Sequence, residues 1–328
     1  MSRTKSTPPA PLRVAISLGD PNGIGCEIVL KALRRKSVAA LAEYVLIGSG
    51  EALSRWSASL GIAVKVKVID VGTVKWNPGV IDAAAGMIAA RSIETGAHLC
   101  MSGLADVLVT APISKEAMHL AGIPFPGHTE MLQSLTKSKR VTMILMSPRM
   151  RVALMTIHEP LSRVPKLLSA KSIRAKLDDL NQTLRTDFAI RHPRIAVLGL
   201  NPHAGEHGMF GREEQTIISP AIASAQRKGI NADGPFPADG FFARWTPNKY
   251  DAILAMYHDQ GLIPLKFDAQ GGGVNVSANL PIVRTSPDHG TAFDIAGKNC
   301  ADASSLVEAI MVGMSIARNR IRTLGSGF

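Results

Sequence analysis

A strand, a glycine-bearing loop and a helix follow one another near the start of this chain, and the same alternation recurs to its end. Leu12-Arg-Val-Ala-Ile-Ser-Leu18 reads as a strand and Gly19-Asp-Pro-Asn-Gly-Ile-Gly25 as a loop. Glu27–Arg35 reads as a helix with apolar Ile28, Leu30 and Leu33. Further apolar runs at 44–47, 64–69, 107–109, 141–146, 152–157, 195–198 and 252–256 alternate with helical stretches that include 80–100, 129–136, 213–228 and 304–321. Repeated strand-helix alternation implies an α/β protein with parallel sheets covered by helices.

At 328 residues the chain is too long for one ordinary core and suits two α/β lobes with a cleft. No repeat and no Gly/Ser linker divides it, so the lobes are expected to interleave. If the last helices return to the first lobe, that lobe comprises 1–125 and 288–328, and the second comprises 126–287.

Thirty-seven Lys and Arg against 26 Asp and Glu give a formal charge of +11, which suits anionic partners of several kinds. The basic residues are dispersed and aromatic residues are only 5%, so the stacking platform of a nucleic-acid binder is missing. Cys26, Cys100 and Cys300 show no C-x-x-C spacing, which argues against a disulfide framework and fits a reducing cytoplasm. Met1–Leu12 is polar and basic and reads as a short tail; it lacks the apolar core of a secretion signal, and no later segment reads as a membrane span.

The loop 19–25 could hold an anion at a helix N-terminus. It fails as a Rossmann fingerprint, because Ile28 stands where the third glycine belongs; Gly48-Ser49-Gly50 fails likewise at Leu53. Neither a G-x-S-x-G elbow nor a P-loop is present, which disfavours serine hydrolases and P-loop nucleotide triphosphatases. Histidine is more informative. His158, His203 and His258 each follow an expected strand at its carboxyl end, where α/β sheets bind ligands, and three imidazoles suit zinc or a neighbouring transition metal. Taken singly, each reads first as an ordinary polar loop residue; their shared placement favours the ligand reading. Lys266, Asn275 and Arg284 offer a point charge, an amide and a planar fork for phosphate or carboxylate oxygens. Gly127-His128-Thr129-Glu130 opens a helix, either contacting an anion or capping through Thr129.

Six segments in order carry a resemblance: Gly19-Asp-Pro-Asn-Gly-Ile-Gly25, Thr110-Ala-Pro-Ile-Ser-Lys115, Gly127-His-Thr-Glu130, Asn201-Pro-His-Ala-Gly-Glu206, Met256-Tyr-His-Asp-Gln-Gly261 and Asp288-His-Gly-Thr-Ala292. Together they resemble the 4-hydroxythreonine-4-phosphate dehydrogenase family of pyridoxal phosphate biosynthesis. That resemblance implies two three-layer α/β/α lobes of the isocitrate/isopropylmalate dehydrogenase kind rather than a standard Rossmann fold. It implies that His158, His203 and His258 hold a divalent metal (zinc, magnesium or cobalt) in a site completed across a homodimer interface. It also implies that His128, Thr129, Lys266, Asn275 and Arg284 contact a small phosphorylated hydroxy acid. The stretch His289–Lys298 is similar to the nucleotide-binding segment of isocitrate and isopropylmalate dehydrogenases, which makes His289, Gly290, Thr291 and Asp294 candidates for the adenosine end of NAD or NADP.

The implied reaction is oxidation of 4-phosphooxy-L-threonine to 2-amino-3-oxo-4-phosphooxybutanoate, with decarboxylation to 3-amino-2-oxopropyl phosphate. Lys266 is a candidate general base and Asp259 a candidate partner that orients His258. Cys26, His207-Gly-Met-Phe210 and Gly240 depart from the family pattern. They leave open the same chemistry on a phosphorylated sugar acid or a dihydrodiol carboxylate. A basic anion- or nucleic-acid-binding protein without catalysis is the reading from another class.

Overall fold

The computed structural model describes residues 10–324. The expected tail lies outside the described residues as far as position 9. The chain divides into two units, Met1–Ile123 with Thr291–Ala303, and Pro124–Gly290 with Ser304–Phe328.

The first unit is built on four parallel strands, β1 (Arg13–Ser17), β2 (Glu43–Gly48), β3 (Lys67–Asp70) and β4 (Val107–Thr110), in the order β3-β2-β1-β4. Strands buried on both faces need unbroken apolar runs, and Val14, Ile16, Leu46, Ile47, Leu108 and Val109 supply them. The connecting helices start where a side chain satisfies their free amides: Ser49 caps Gly50–Leu60, and Asp82 caps Ala83–Met101. Because β1 neighbours both β2 and β4, the loop after β1 leaves the sheet where the strand order reverses, the place at which open α/β sheets bind ligands.

The second unit has seven strands: β5 (Thr142–Met146), β6 (Arg151–Leu154), β7 (Arg194–Leu198), β8 (Asn231–Phe236), β9 (Ala252–Ala255), β10 (Val274–Ala278) and β11 (Arg284–Pro287). Their order is β11-β10-β5-β6-β9-β7-β8. Here the expectation of purely parallel sheets is corrected: β11, β10, β5 and β6 pair antiparallel, and only β6, β9, β7 and β8 run parallel. The reason is local. β5 and β6 are joined by a tight turn in which the Ser147 amide donates to the Met150 carbonyl at 3.0 Å, leaving no room for the crossover a parallel pair needs.

A second correction concerns the last helix. Ser304–Leu324 belongs to the second unit, so 288–328 does not return whole to the first; only 291–303 does. The helix is tied down where it lies. Arg320 makes a buried two-pronged pair with Asp187 (2.7 and 2.8 Å) and donates to the Leu280 carbonyl, while Thr285 donates to the Ala309 carbonyl at 2.7 Å.

Candidate active site

Three adjacent parallel strands, β6, β9 and β7, end at one edge of the second unit's sheet, and the segments that follow them carry His158, His258 and His203. The ends of β6 and β9 are fastened together, because Thr156 donates through its hydroxyl to the Met256 carbonyl at 2.8 Å. The rings of His158 and His258 lie 5.7 Å apart between centroids. His258 opens helix His258–Ala269, and its Nδ1 shares a 2.7 Å hydrogen bond with the Asp259 carboxylate; this leaves Nε2 as the free ring nitrogen and fixes the ring's orientation. His203 is exposed and stands apart from that pair, against Phe210 at 6.0 Å. Among the described residues, no group of three His, Cys, Asp or Glu side chains is gathered closely enough to hold a metal ion.

The same edge carries a buried arginine. Arg284, the first residue of β11, is 2% exposed and donates to the Ser277 hydroxyl at 3.0 Å. Burial pulls its guanidinium down to about 9, opposed by the nearby Glu130 carboxylate. Asn275 precedes Ser277 by two residues on β10, which places it on the same face. Its buried Oδ1 has no hydrogen-bond partner among the described residues. Helix His128–Leu135 begins at His128 with Gly127 as its N-cap and no capping side chain, so Thr129 sits inside the first turn and does not cap. Thr129 is buried there, while Glu130 reaches Arg284's field. Lys266 is exposed on helix 258–269, two turns beyond His258, and its ammonium makes no ion pair among the described residues.

In the first unit the loop after β1 is shaped by a close backbone approach at Gly19 and by the buried side chains of Asp20, Asn22 and Trp56. Gly19 has φ +70°, its missing Cβ would lie 2.1 Å from the Pro112 carbonyl oxygen, and the Asp20 amide donates to that same oxygen at 2.9 Å. No other residue fits there. Asp20 is fully buried; one carboxyl oxygen accepts from the Asn22 amide at 2.9 Å and the other has no hydrogen-bond partner, so burial pushes the carboxyl up to about 6.

The segment 291–303 seats on this loop and its helix. The Ile24 amide donates to the Thr291 carbonyl, the Ala301 amide donates to Glu27, and Lys31 reaches the carbonyls of Asn299 and Ala301. Thr291 and Asp294 therefore belong to the first unit, whereas His289 and Gly290 end the second unit's main run. His289 has a buried Nε2 with no partner among the described residues, and Asp294 is exposed.

Three polar residues of this region were not foreseen. Ser277 grips Arg284. Glu214 and Gln260 are buried and bond backbone groups beside His203 and His258. Glu214 left a trace in the sequence as one of two adjacent acids after Gly211-Arg212, and Gln260 as a member of the segment Met256–Gly261.

The profile of the pyridoxal phosphate biosynthetic protein PdxA family matches residues 28–313. A 4-hydroxythreonine-4-phosphate dehydrogenase of Geobacter metallireducens is 42% identical over 93% of this chain and 96% of its own length. A Bradyrhizobium diazoefficiens protein that bears the provisional name D-threonate 4-phosphate dehydrogenase is also 42% identical, over 90% of this chain and 94% of its own. Among solved structures, the 4-hydroxythreonine-4-phosphate dehydrogenase of Klebsiella pneumoniae superposes with a TM-score of 0.85 at 37% identity, covering 95% of this chain and 99% of that one. These relatives define an α/β oxidoreductase class. The chain belongs to the PdxA family of pyridoxal phosphate biosynthetic proteins.

Proposed function

We propose that the protein is a metal-dependent, NAD- or NADP-linked dehydrogenase that oxidises the C3 alcohol of 4-phosphooxy-L-threonine. The product is 2-amino-3-oxo-4-phosphooxybutanoate, a β-keto acid that loses CO2 to give 3-amino-2-oxopropyl phosphate. The observation that carries this reading is the shared sheet edge, where three histidines follow three adjacent parallel strands and buried Arg284 begins a fourth.

His158, His203 and His258 would hold a divalent cation. A donor set of three imidazoles fits zinc or cobalt better than magnesium, which takes oxygen ligands. When bound, such a cation supplies Lewis acidity that lowers the pKa of a substrate hydroxyl. The chain's own residues do the rest. Asp259 holds His258 in the tautomer that leaves Nε2 available. Arg284, Asn275, His128 and Thr129 bind the anionic end of the substrate; the guanidinium is preset by Ser277, and the Asn275 carbonyl awaits a donor. Fixing that end sets the position of the C3 carbon for hydride transfer. Lys266 adds a further cation for phosphate oxygens and is the candidate proton acceptor at the alcohol.

The NAD reading gives His289, Gly290, Thr291 and Asp294 to the adenosine end. Its support is the seating of the 291–303 segment on the loop at the point where the strand order reverses. NAD, when bound, supplies the hydride acceptor.

A homodimer completes the site in this reading. His203 stands apart from the paired His158 and His258, and the segments carrying His203 and His258 expose Met209 (75%), Ile263 (67%) and Phe267 (85%). Apolar side chains this open are suited to a second copy. Among the described residues no helix is long and apolar enough to cross a membrane, and a cytoplasmic enzyme without a nucleic-acid partner remains the proposal.

The equal likeness to the Bradyrhizobium relative supports a second substrate, D-threonate 4-phosphate, for the same chemistry. The test is NADH formation by cobalt- or zinc-loaded protein with each compound, beside a chelator-treated control. Metal-dependent turnover of 4-phosphooxy-L-threonine supports the first substrate, turnover of D-threonate 4-phosphate alone transfers the reading to the second, and reduction with neither defeats both.

A further inference from the structure

The turn that presents His203 has a backbone that its sequence does not favour. His203, Ala204, Gly205, Glu206 and His207 follow one another with φ of 52°, 51°, 83°, 40° and 55°. This is a left-handed turn in which four of five residues carry a Cβ. Each such residue is held in the form that L residues disfavour, with Cβ crowded against the following carbonyl, and the segment holds none of the Asn or Asp residues that tolerate it best. Runs of this kind persist only where their surroundings over-determine them.

Glu214 supplies that constraint. It is 3% exposed and lies in the π-helical turn Glu214–Ile218. One carboxylate oxygen accepts the amides of Leu200 and Asn201, both at 2.7 Å, and the other accepts the Asn201 side-chain amide at 2.9 Å. The carboxylate also packs against the turn itself, since a Cβ on Gly205 would lie 2.7 Å from Oε2. Gln260 then sets the distance to the neighbouring strand end: it donates to the Gly199 carbonyl at 2.6 Å and accepts from the Met256 amide at 2.7 Å. One buried amide thus joins the segment leading to His203 with the segment leading to His258.

We infer that Glu214 is a positioning residue for metal binding: its buried carboxylate holds the left-handed turn in the shape that presents His203, and Gln260 sets the spacing to His258. The inference rests on the metal reading above. Glu214 touches neither the substrate nor the cation; it acts through the backbone of Leu200 and Asn201.

The test uses the full-length protein with cobalt(II) alone. E214Q keeps one oxygen for the two backbone amides but sets an NH2 against that of Asn201; G205A drives a methyl group toward the Glu214 carboxylate. Each is expected to weaken cobalt binding by about 10- to 100-fold, the range seen when a partner of a ligand is lost. Binding is read from the visible d–d absorption and from competition with a chelator. In metal-free protein, amide exchange should quicken over 200–210 and stay unchanged over β1–β4. Wild-type cobalt affinity in both folded variants would remove the positioning role while leaving the metal assignment standing. Exchange quickened to the same extent across β1–β4 would reduce Glu214 to a general stabiliser. Failure of the wild-type chain to bind cobalt would fault the metal reading, and this inference with it.

Discussion

The loop after β1 and the loop after β7 both leave their strands through residues with positive φ, yet they solve the problem in opposite ways. Around Gly19 the strained position is given to glycine, which lets the backbone close against the Pro112 carbonyl, and Asp20 and Asn22 tie the rest of the loop. Between Asn201 and Gly211 the same region of conformational space is occupied by His203, Ala204, Glu206 and His207, and a buried carboxylate holds them there. The first arrangement packs the loop closely, with every residue from 18 to 25 buried. The second aims one side chain. The first unit should therefore fail through its packing and the second through the side chain it aims.

The sharpest break would come from H203A, which is expected to reduce metal-dependent NADH formation to background. Because His203 is exposed, the metal-free unfolding free energy should move by no more than roughly ±0.5 kcal/mol, as is typical of surface changes. Normal turnover with full metal stoichiometry would end the assignment of this residue as a ligand.

Next in size is R284M, for which KM of the phosphorylated substrate should rise roughly ten- to hundredfold. Charge-assisted hydrogen bonds are worth about 1.5–3 kcal/mol, and about 1.4 kcal/mol is tenfold. KM for NAD should not change, and because buried Ser277 loses its donor, stability should fall by about 1–3 kcal/mol. Steady-state kinetics with each substrate varied in turn would show whether the two effects separate.

G19A carries the comparison into the first unit. Added strain and the contact with Pro112 should cost about 2–4 kcal/mol of stability, with substrate KM unaltered in whatever protein remains folded. A loss of substrate affinity without a loss of stability would contradict the contrast drawn between the loops.

The smallest effect is expected from D20N, and it depends on pH. Asp20 titrates near 6 in the folded chain against 3.8 ordinarily, so the folded state binds its proton more tightly than the unfolded state. The native state is favoured fully below about pH 4, loses that contribution as pH rises toward 6, and stays lower above it. D20N removes this dependence. Denaturant unfolding should show a gain of about 1–3 kcal/mol at pH 8 that fades by pH 4.5; an equal gain at both values would show that ionisation of Asp20 is not the cause.

Much of this was legible from residue order. The apolar runs placed β1 to β7 and β9, because strands in a sheet need them, and the three histidines drew notice through their place after such runs. β8, β10 and β11 were missed: Asn231–Phe236, Val274–Ala278 and Arg284–Pro287 mix Asn, Asp, Gly, Pro, Ser, Arg and Thr into their strands, so hydrophobic periodicity is weak there. Antiparallel pairing of β5 and β6 was hidden in the four residues between them. Gln260 could not be found from spacing, since its partners are backbone groups that every residue possesses. The left-handed turn was hidden for a related reason: its cause, Glu214, stands seven residues beyond the last strained residue, His207.

The return of residues 291–303 to the first unit bears on the order of events during synthesis. The Ala301 amide that Glu27 accepts and the Thr291 carbonyl that takes the Ile24 amide both lie in that segment, yet the whole of 124–290 leaves the ribosome before it does. The earliest-made part of the chain must therefore wait, with its parallel sheet formed but its ligand loop uncovered, until nearly the last residues arrive. Chains in this position are exposed to misassembly for longer than units that close on themselves, and a nascent chain released before residue 303 would lack the cover on the loop after β1 even with β1–β4 all present.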